Sequence, residues 1–387
     1  MKILHICLKS FLTDGWLYQD NLLPKYHKLM GFDVCILTSM WTWDSSGKLR
    51  IDNKKEYIND DGVKILRLQM KGIENYKFIK FKRFHGFLQA LNDELPDILF
   101  IHGCQFLDID KVVAYLKKHP NVKVFVDNHA DNVNSARNWF SKNIHKIIWR
   151  HCAHKIEPYT TKFYGVLPAR VDFLKNIYRL PTEKCELLVM GADDELVEKA
   201  KTSGARQKIR GRYGIKDDDF LIITGGKIDH WKTQTLLLMQ AVQNIKNEKL
   251  RLIVFGSVTQ ELVEQVKALV DGTKVQYVGW VLPHNLYDYF ESADLVVFPG
   301  AHSVLWEQVV GQGKPMLVKD WPGVHHVDLG GNVRFLTQNS IEEIQNEIEQ
   351  LLKNPREYQK MKEMAEKEGM RVFSYKDIAR RSIELGN

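Results

Sequence analysis

The chain reads as an α/β protein with two doubly wound parallel sheets, on three grounds. Short apolar runs alternate with helix-length amphipathic stretches, in two successive series. Those runs are rich in β-branched residues and show little polar alternation, which suits strands covered by helices on both faces. At 387 residues the chain exceeds what one ordinary core serves, so two domains are expected.

The first series comprises KILHIC (2–7), DVCILTS (33–39), KILRL (64–68), DILFIHG (97–103), VKVFVDNH (122–129) and CELLVMG (185–191). The second comprises FLIITGG (220–226), RLIVFG (251–256), VQYVGW (275–280), DLVVFPG (294–300) and PMLVKD (315–320). A polar stretch over 193–219 separates them and reads as the linker region plus the entry to the second domain. From about 341 the pattern is helical. The expected domains are 1–195 and 196–365, with a last helix over 366–387.

Composition narrows the class. With 44% hydrophobic and 27% charged residues the chain matches soluble globular enzymes rather than disordered proteins. No apolar run approaches the roughly 18 residues that cross a bilayer. The opening MKILHICLKS reads as a first strand rather than a signal peptide. Five scattered cysteines without Cys-x-x-Cys spacing suggest reduced thiols, a cytoplasmic setting and no zinc site. The net charge of +7 favours phosphate-bearing or anionic-membrane partners.

Doubly wound sheets bind ligands beyond the carboxyl ends of their strands, so the residues there are the candidates. After FLIIT come Gly225, Gly226, Lys227 and Lys232, then a helix from about Thr233. Glycines admit a ligand to the backbone and two lysines neutralise a diphosphate; the alternative is a plain turn with solvated lysines. Neither a Walker loop nor Gly-x-Gly-x-x-Gly is present. After VKVFV come Asp127, Asn128, His129 and Asp131, and after DILFI come His102 and Gly103. Asp14, Gly15 and Trp16 follow the first strand, as an acceptor-side lining or as a loop. In SVLWEQVVGQGKP (303–315), Glu307 and Gln308 sit about 100° apart on a short buried helix, so they cannot serve one site equally. Ser303 caps that helix or, with His302, offers backbone N–H groups to a phosphate. His325-His326 reads as a turn without metal-ligand spacing.

In NYKFIKFKRFHGFL (75–88), Lys77, Phe78, Lys80, Phe81, Lys82 and Arg83 interleave cations with aromatics. This suits an interfacial helix on anionic lipid, or a core-facing helix with a solvated basic side. RNWFSKNIHKIIWRHCAHK (137–155) has similar character. No nucleic-acid-binding motif appears, and nucleic acid is not an expected partner.

GGKIDHWK, then VGW (278–280) ahead of NLYDYFESADLVVFPG, then the acid–amide helix ending GQGKP, together resemble the retaining glycosyltransferases of family 4, with the GT-B fold. The opening DGWLYQDNLLPKYHKLMGFDVCILTS is similar to the start of that family. The resemblance implies that Lys227 and Lys232 bind the donor diphosphate beside Gly225 and Gly226. It sets Gly279 and Trp280 beside the base and His129 near the transferred sugar. The family's Glu-x7-Glu pattern falls on Gly300 and Gln308, with Glu307 one residue off, so the chain departs from it. The implied function is transfer of a sugar, with retention, from a nucleotide diphosphate donor (a UDP-sugar first) to a lipid-linked or saccharide acceptor. The implied setting is surface-polysaccharide or glycolipid assembly at the inner membrane face, without metal or other cofactor. FSYKDIARRSIEL (373–385) resembles the family's last helix, which crosses back onto the first domain. The alternatives are a nucleotide-sugar epimerase of the same fold and a non-catalytic nucleotide-sugar-binding or membrane-associated subunit.

Overall fold

The computed structural model describes residues 1–44, 48–71, 81–230 and 232–384. The chain divides into two compact units. One comprises Met1–Val189 with the C-terminal stretch from Lys376, and the other Met190–Tyr375.

The strands are β1 (Lys2–Cys7), β2 (Asp33–Ser39), β3 (Trp41–Trp43), β4 (Leu49–Ile51), β5 (Glu56–Ile58), β6 (Lys64–Leu68), β7 (Ile98–His102), β8 (Lys123–Asn128), β9 (Thr160–Gly165) and β10 (Cys185–Leu187) in the first unit. The second holds β11 (Phe220–Gly225), β12 (Leu250–Phe255), β13 (Val275–Tyr277), β14 (Leu295–Phe298), β15 (Met316–Lys319) and β16 (Val333–Leu336).

The first sheet runs β10-β9-β8-β7-β1-β2-β6-β5. It is parallel except for β5, and β3 and β4 form a separate antiparallel pair. Side-chain alternation sorts its residues. Leu4, Ile6, Leu99, Ile101, Val124 and Val126 join one apolar core with Phe87, Val112, Trp149 and Phe173. On the opposite face lie His5, His102 and Asp127, the last two paired across β7 and β8. The second sheet runs β13-β12-β11-β14-β15-β16, all parallel. Its strand order reverses between β11 and β14, as that of the first sheet does between β1 and β7. A doubly wound sheet opens a ligand crevice at such a point.

The second core joins Ile222, Leu252, Val254, Leu295 and Leu317 to the helices Gln234–Asn244 and Ile341–Lys353. The latter starts where Ser340 Oγ accepts from Glu343 N at 3.1 Å, and it buries Ile344, Ile348 and Leu351 at helical spacing. Each such side chain contributes roughly 1.5–3 kcal/mol.

Two expectations need correction. The stretch 193–219 belongs to the second unit, as its reading as that domain's entry expected, but its linker part is helical: it forms the helices Asp194–Thr202 and Ala205–Arg212. Buried Arg210 donates to Asp294 Oδ2 at 2.5 Å, Arg206 donates to Asp294 Oδ1 at 2.7 Å, and the Leu221 amide donates to Asp294 at 2.7 Å. One carboxylate thus ties the second of these helices to the start of β11. Of the helix expected across 75–88, residues 81–86 are not helical, and a helix starts at Phe87 after a left-handed Gly86. Lys77, Phe78 and Lys80 lie outside the described residues. Lys82 is only 6% exposed; it donates to the Lys9 carbonyl and sits 4.4 Å from the Phe11 ring centroid. Arg83 pairs with Asp108 at 3.1 Å, and Phe81 lies against Trp149. Lys82 is therefore packing, not lipid-facing.

Asp294→Ala strands a buried guanidinium. It is expected to cost the second unit about 3 kcal/mol or more in denaturant unfolding, whereas Asp218→Ala on an exposed pair should cost under about 1 kcal/mol.

Candidate functional site

In the second unit, backbone packs on backbone at the carboxyl ends of the central strands. A Cβ on Gly256 would lie 1.8 Å from the Gly226 carbonyl oxygen, and one on Gly225 would lie 2.3 Å from the Phe255 ring. Gly226 (φ +118°) and Gly256 (φ +120°) hold angles that suit glycine alone. Gly226 N donates to Phe255 O at 3.1 Å and Gly256 N to Gly279 O at 2.7 Å. The turns after β11, β12 and β13 are thereby stitched into one edge without side chains.

Lys232 stands over this edge. Its ammonium is 4.0 Å from where a Gly226 Cβ would lie, and its Cγ is 3.7 Å from the Cβ position of Gly300, beyond β14. Gln234 Oε1 reaches the same point at 3.2 Å, buried and without a hydrogen-bond partner. Burial lowers the Lys232 pKa, against the pull of Asp229. The structure therefore brings Gly226, Lys232 and Gly300 together at the crevice between β11 and β14. Lys227 differs: its side chain is largely exposed and pairs with Asp229 at 3.4 Å. Trp280 is 61% exposed, just past the left-handed Gly279.

The helix Leu305–Gly311 buries both Glu307 and Gln308. Glu307 Oε1 accepts from His302 Nε2 at 2.8 Å and from His326 Nε2 at 3.0 Å. Burial would raise the Glu307 pKa, but the two imidazoles hold it well below the usual carboxylate range. Glu307 therefore anchors the loops after β14 and β15, and His302 points its ring at Glu307. Gln308 lies beside it on the same helix. Ser303 does not cap that helix: the cap position is Val304, with no side-chain bond. Sequence reasoning missed the link to His326, because 19 residues separate the partners.

In the first unit, the carboxyl ends of β7 and β8 carry a buried polar cluster. Asp127 Oδ2 receives His102 Nδ1 at 2.8 Å and the Gln19 amide at 3.1 Å, and His129 Nε2 approaches it to 3.3 Å. Asp127 Oδ1, Gln19 Oε1 and His129 Nε2 are buried without hydrogen-bond partners. Burial raises the Asp127 pKa, but His129 and His102 more than reverse that and hold it far below the usual range. Burial lowers the His129 pKa, against Asp127. A neutral imidazole beside a fixed anion, with two unsatisfied oxygen acceptors, suits a ligand that brings hydroxyl groups.

Two acceptor-side expectations change here. His102 is 1% exposed, so it reaches a ligand only through its partners. Asp131 is buried, pairs with Arg170 at 3.1 Å and accepts the Val133 and Asn134 amides, which makes it a loop anchor. Gly15 (φ +76°) and half-buried Trp16 lie on a loop whose Asp14 accepts from Tyr57 at 2.6 Å. Among the described residues one set approaches metal-ligand geometry: Asp20, His102 and His129, with ligand atoms within 4.8 Å of one another. His102 Nδ1 already faces Asp127 and its Nε2 faces His5 at 3.0 Å, so a cation there would displace a hydrogen bond.

Residues 205–368, most of the second unit, match the sequence model of the family described as Glycosyl transferases group 1. Mannosylfructose-phosphate synthase of Agrobacterium fabrum is 22% identical over 254 residues, covering 62% of this chain and 54% of that protein. The chain thus spans about half the length of this curated relative. Among solved structures, Anabaena Alr3699/HepE in complex with UDP aligns with a TM-score of 0.71 at 14% identity, covering 98% of each chain. UDP-GlcNAc 2-epimerase of Neisseria meningitidis bound to UDP-GlcNAc aligns with a TM-score of 0.63 at 15% identity, covering 99% of each. These likenesses establish the fold: two Rossmann-like domains of the GT-B class.

Glu307 stabilises the fold above the ordinary carboxyl pKa of about 4.5, and that stability is lost as pH falls through its depressed value. Glu307→Gln is expected to flatten the acid limb of stability below about pH 4.5 in thermal unfolding, while Glu264→Gln, on an exposed pair, leaves it unchanged.

Proposed function

We propose that the chain is a retaining glycosyltransferase that takes a sugar from a nucleotide diphosphate donor, a UDP-sugar first. The observation that carries this reading is Lys232 standing over the side-chain-free edge of Gly226 and Gly300, at the strand-order reversal, within the residues that match the glycosyltransferase family. The departing diphosphate gains negative charge as its bond to the sugar breaks. A half-buried ammonium opposite that charge stabilises the transition state more than the ground state. Lys227, more exposed, adds long-range attraction. The leaving phosphate takes the acceptor proton, so no base is needed on the opposite face. Asp127 and His129 receive hydroxyls of the sugar or acceptor at the edge of the first sheet. Donor charge is met by lysine, and the reaction needs no metal or cofactor beyond its co-substrate. The UDP in Anabaena Alr3699/HepE supports the choice of nucleotide.

The acceptor is proposed to be lipid-linked and the protein peripheral on the cytoplasmic membrane. What supports this lies in 133–147 rather than in 81–83. Trp139 is 80% exposed, Phe140 64% and Ile147 68%, and the helix Trp139–Ile144 buries no residue. Arg137, Lys142 and Lys146 flank them, and no acidic residue occurs between Asp131 and Glu157. Exposed aromatics with an unbroken basic flank suit the headgroup region of anionic lipid.

Incubation with UDP-, GDP-, ADP- and CMP-sugars, read by mass spectrometry, is expected to release nucleotide from one of them. Lys232→Met should cut that rate by about 10²-fold. An isomerised sugar without released nucleotide would support an epimerase instead, and binding without turnover a non-catalytic subunit.

Trp139→Ser with Phe140→Ser should weaken co-sedimentation with anionic vesicles by at least about tenfold; unchanged binding would remove this surface from the account.

A further inference from the structure

Three buried histidines form a single file in the first unit. His102 Nδ1 faces Asp127 Oδ2 at 2.8 Å. His102 Nε2 faces His5 Nδ1 at 3.0 Å, and His5 Nε2 faces His27 Nδ1 at 3.0 Å. His27 Nε2 faces the Ala379 carbonyl oxygen and Ser382 Oγ, both at 3.0 Å. The file begins at the ligand-facing edge of the sheet and ends on the C-terminal helix Tyr375–Ser382.

Its two ends decide its proton content. A carboxylate accepts and cannot donate, and so does a carbonyl. Ser382 does not relieve the far end, because its hydroxyl donates to Ala379 O at 2.8 Å and is left to accept from His27. Four contacts therefore need four N–H protons, while three neutral imidazoles carry three. With only three, one contact near 3 Å would set two lone pairs against each other inside a dry core, at a cost no buried network tolerates. Protonating Asp127 would also complete the count, but the Gln19 amide donates to the same oxygen, which favours the anion.

We propose that the file holds four protons in the neutral range, with His102 as the imidazolium and His5 and His27 as neutral Nε2–H tautomers. This excess proton both docks the C-terminal helix and fixes Asp127 as an anion at the sheet edge. His102 is thus a positioning residue, acting through Asp127; the bearing of this on sugar transfer rests on the function proposed above.

The surroundings agree with that placement. The groups that face the file are Cys7 at the end of β1 and Lys9 just after it, Asp20 on the helix Gln19–Leu29, and Asp127 and His129 at the end of β8. Burial opposes charge on His102, but Cys7 and Asp127 outweigh it and hold its pKa well above the ordinary imidazole value. Burial pushes the Cys7 thiol itself up to about 11, so in the neutral range the Asp127 anion is the partner that counts. Burial, with His27 and His102 adding to it, lowers the His5 pKa well below the ordinary value, and burial lowers that of His27 to about 4. The His102 contribution is complete below pH 6.5 and is lost as pH rises through its raised pKa. The contributions of neutral His5 and His27 are present above pH 6.5 and are lost on acidification.

The test is nitrogen-15 NMR of histidine side chains in the full chain at pH 8. His102 is expected to show both ring nitrogens protonated, with His5 and His27 each protonated at Nε2 alone. Three neutral rings, or a neutral His102 protonated only at Nε2, would overturn the proposal. His27→Phe supplies the second reading, since Phe32 and Phe100 already flank that position and Ser382 still satisfies Ala379 O. Cut there, the file closes with neutral rings. The doubly protonated His102 population at pH 8 should then fall at least about tenfold, although His27 is two links away. An unchanged His102 would show that the far end does not set the count. Should that variant not fold, the wild-type spectrum decides alone. Neither reading needs turnover, so loss of the transferase reading would leave both intact.

Discussion

Close contact between backbone segments at the carboxyl ends of β11 and β12 is the constraint on which the rest depends. Gly256 lies so near the Gly226 carbonyl that no Cβ fits between them, and Gly225 leaves no room beside the Phe255 ring. Any larger residue there would push the turns apart and fill the edge with side chains. Because the edge is bare, its peptide groups are left uncovered, and Lys232 is the charge that stands over them. Gly300, at the end of β14, completes the same surface where the strand order reverses.

The two units carry opposite electrostatics at the ends of their central strands. The second offers a half-buried ammonium over an uncluttered backbone edge, while Glu307 is spent holding His302 and His326 in place. The first offers an anion, Asp127, kept ionised by imidazoles within a dry network and bordered by unsatisfied oxygens of Gln19 and Asp127 itself. The family match lies within the second unit, at residues 205–368.

Much of the fold was legible because burial on both faces leaves continuous apolar runs. KILHIC, DVCILTS and KILRL coincide residue for residue with β1, β2 and β6. The strands that escaped notice had weaker patterns: β9 opens with Thr160, Thr161 and Lys162, β3 to β5 are three-residue pieces, and β16 is four residues interrupted by Arg334. Stretch 193–219 looked like a linker because its charges hide Arg206 and Arg210, whose role appears only once Asp294 is in place. At the candidate site, the glycines after β11 and the place of Lys232 beside them were readable from position, whereas the exposure of Lys227 was not. His5 and His27 were not: His5 is a single polar residue in an apolar run, His27 sits among the lysines of a polar helical stretch, and their partners lie 97 and 352 positions away. The same limit hid the burial of Lys82 and the loop-anchoring role of Asp131: a side chain's employer is often a residue distant in sequence.

Lysine acylation with a small reagent, mapped by peptide mass spectrometry with and without UDP, tests the central claim most directly. Lys232 should be protected by UDP, less by UMP and not by uridine, while Lys249, exposed on a distant surface pair, reacts equally throughout. Equal labelling of Lys232 in all four conditions, at UDP concentrations where binding is independently measured, would contradict the assignment of that ammonium to the diphosphate.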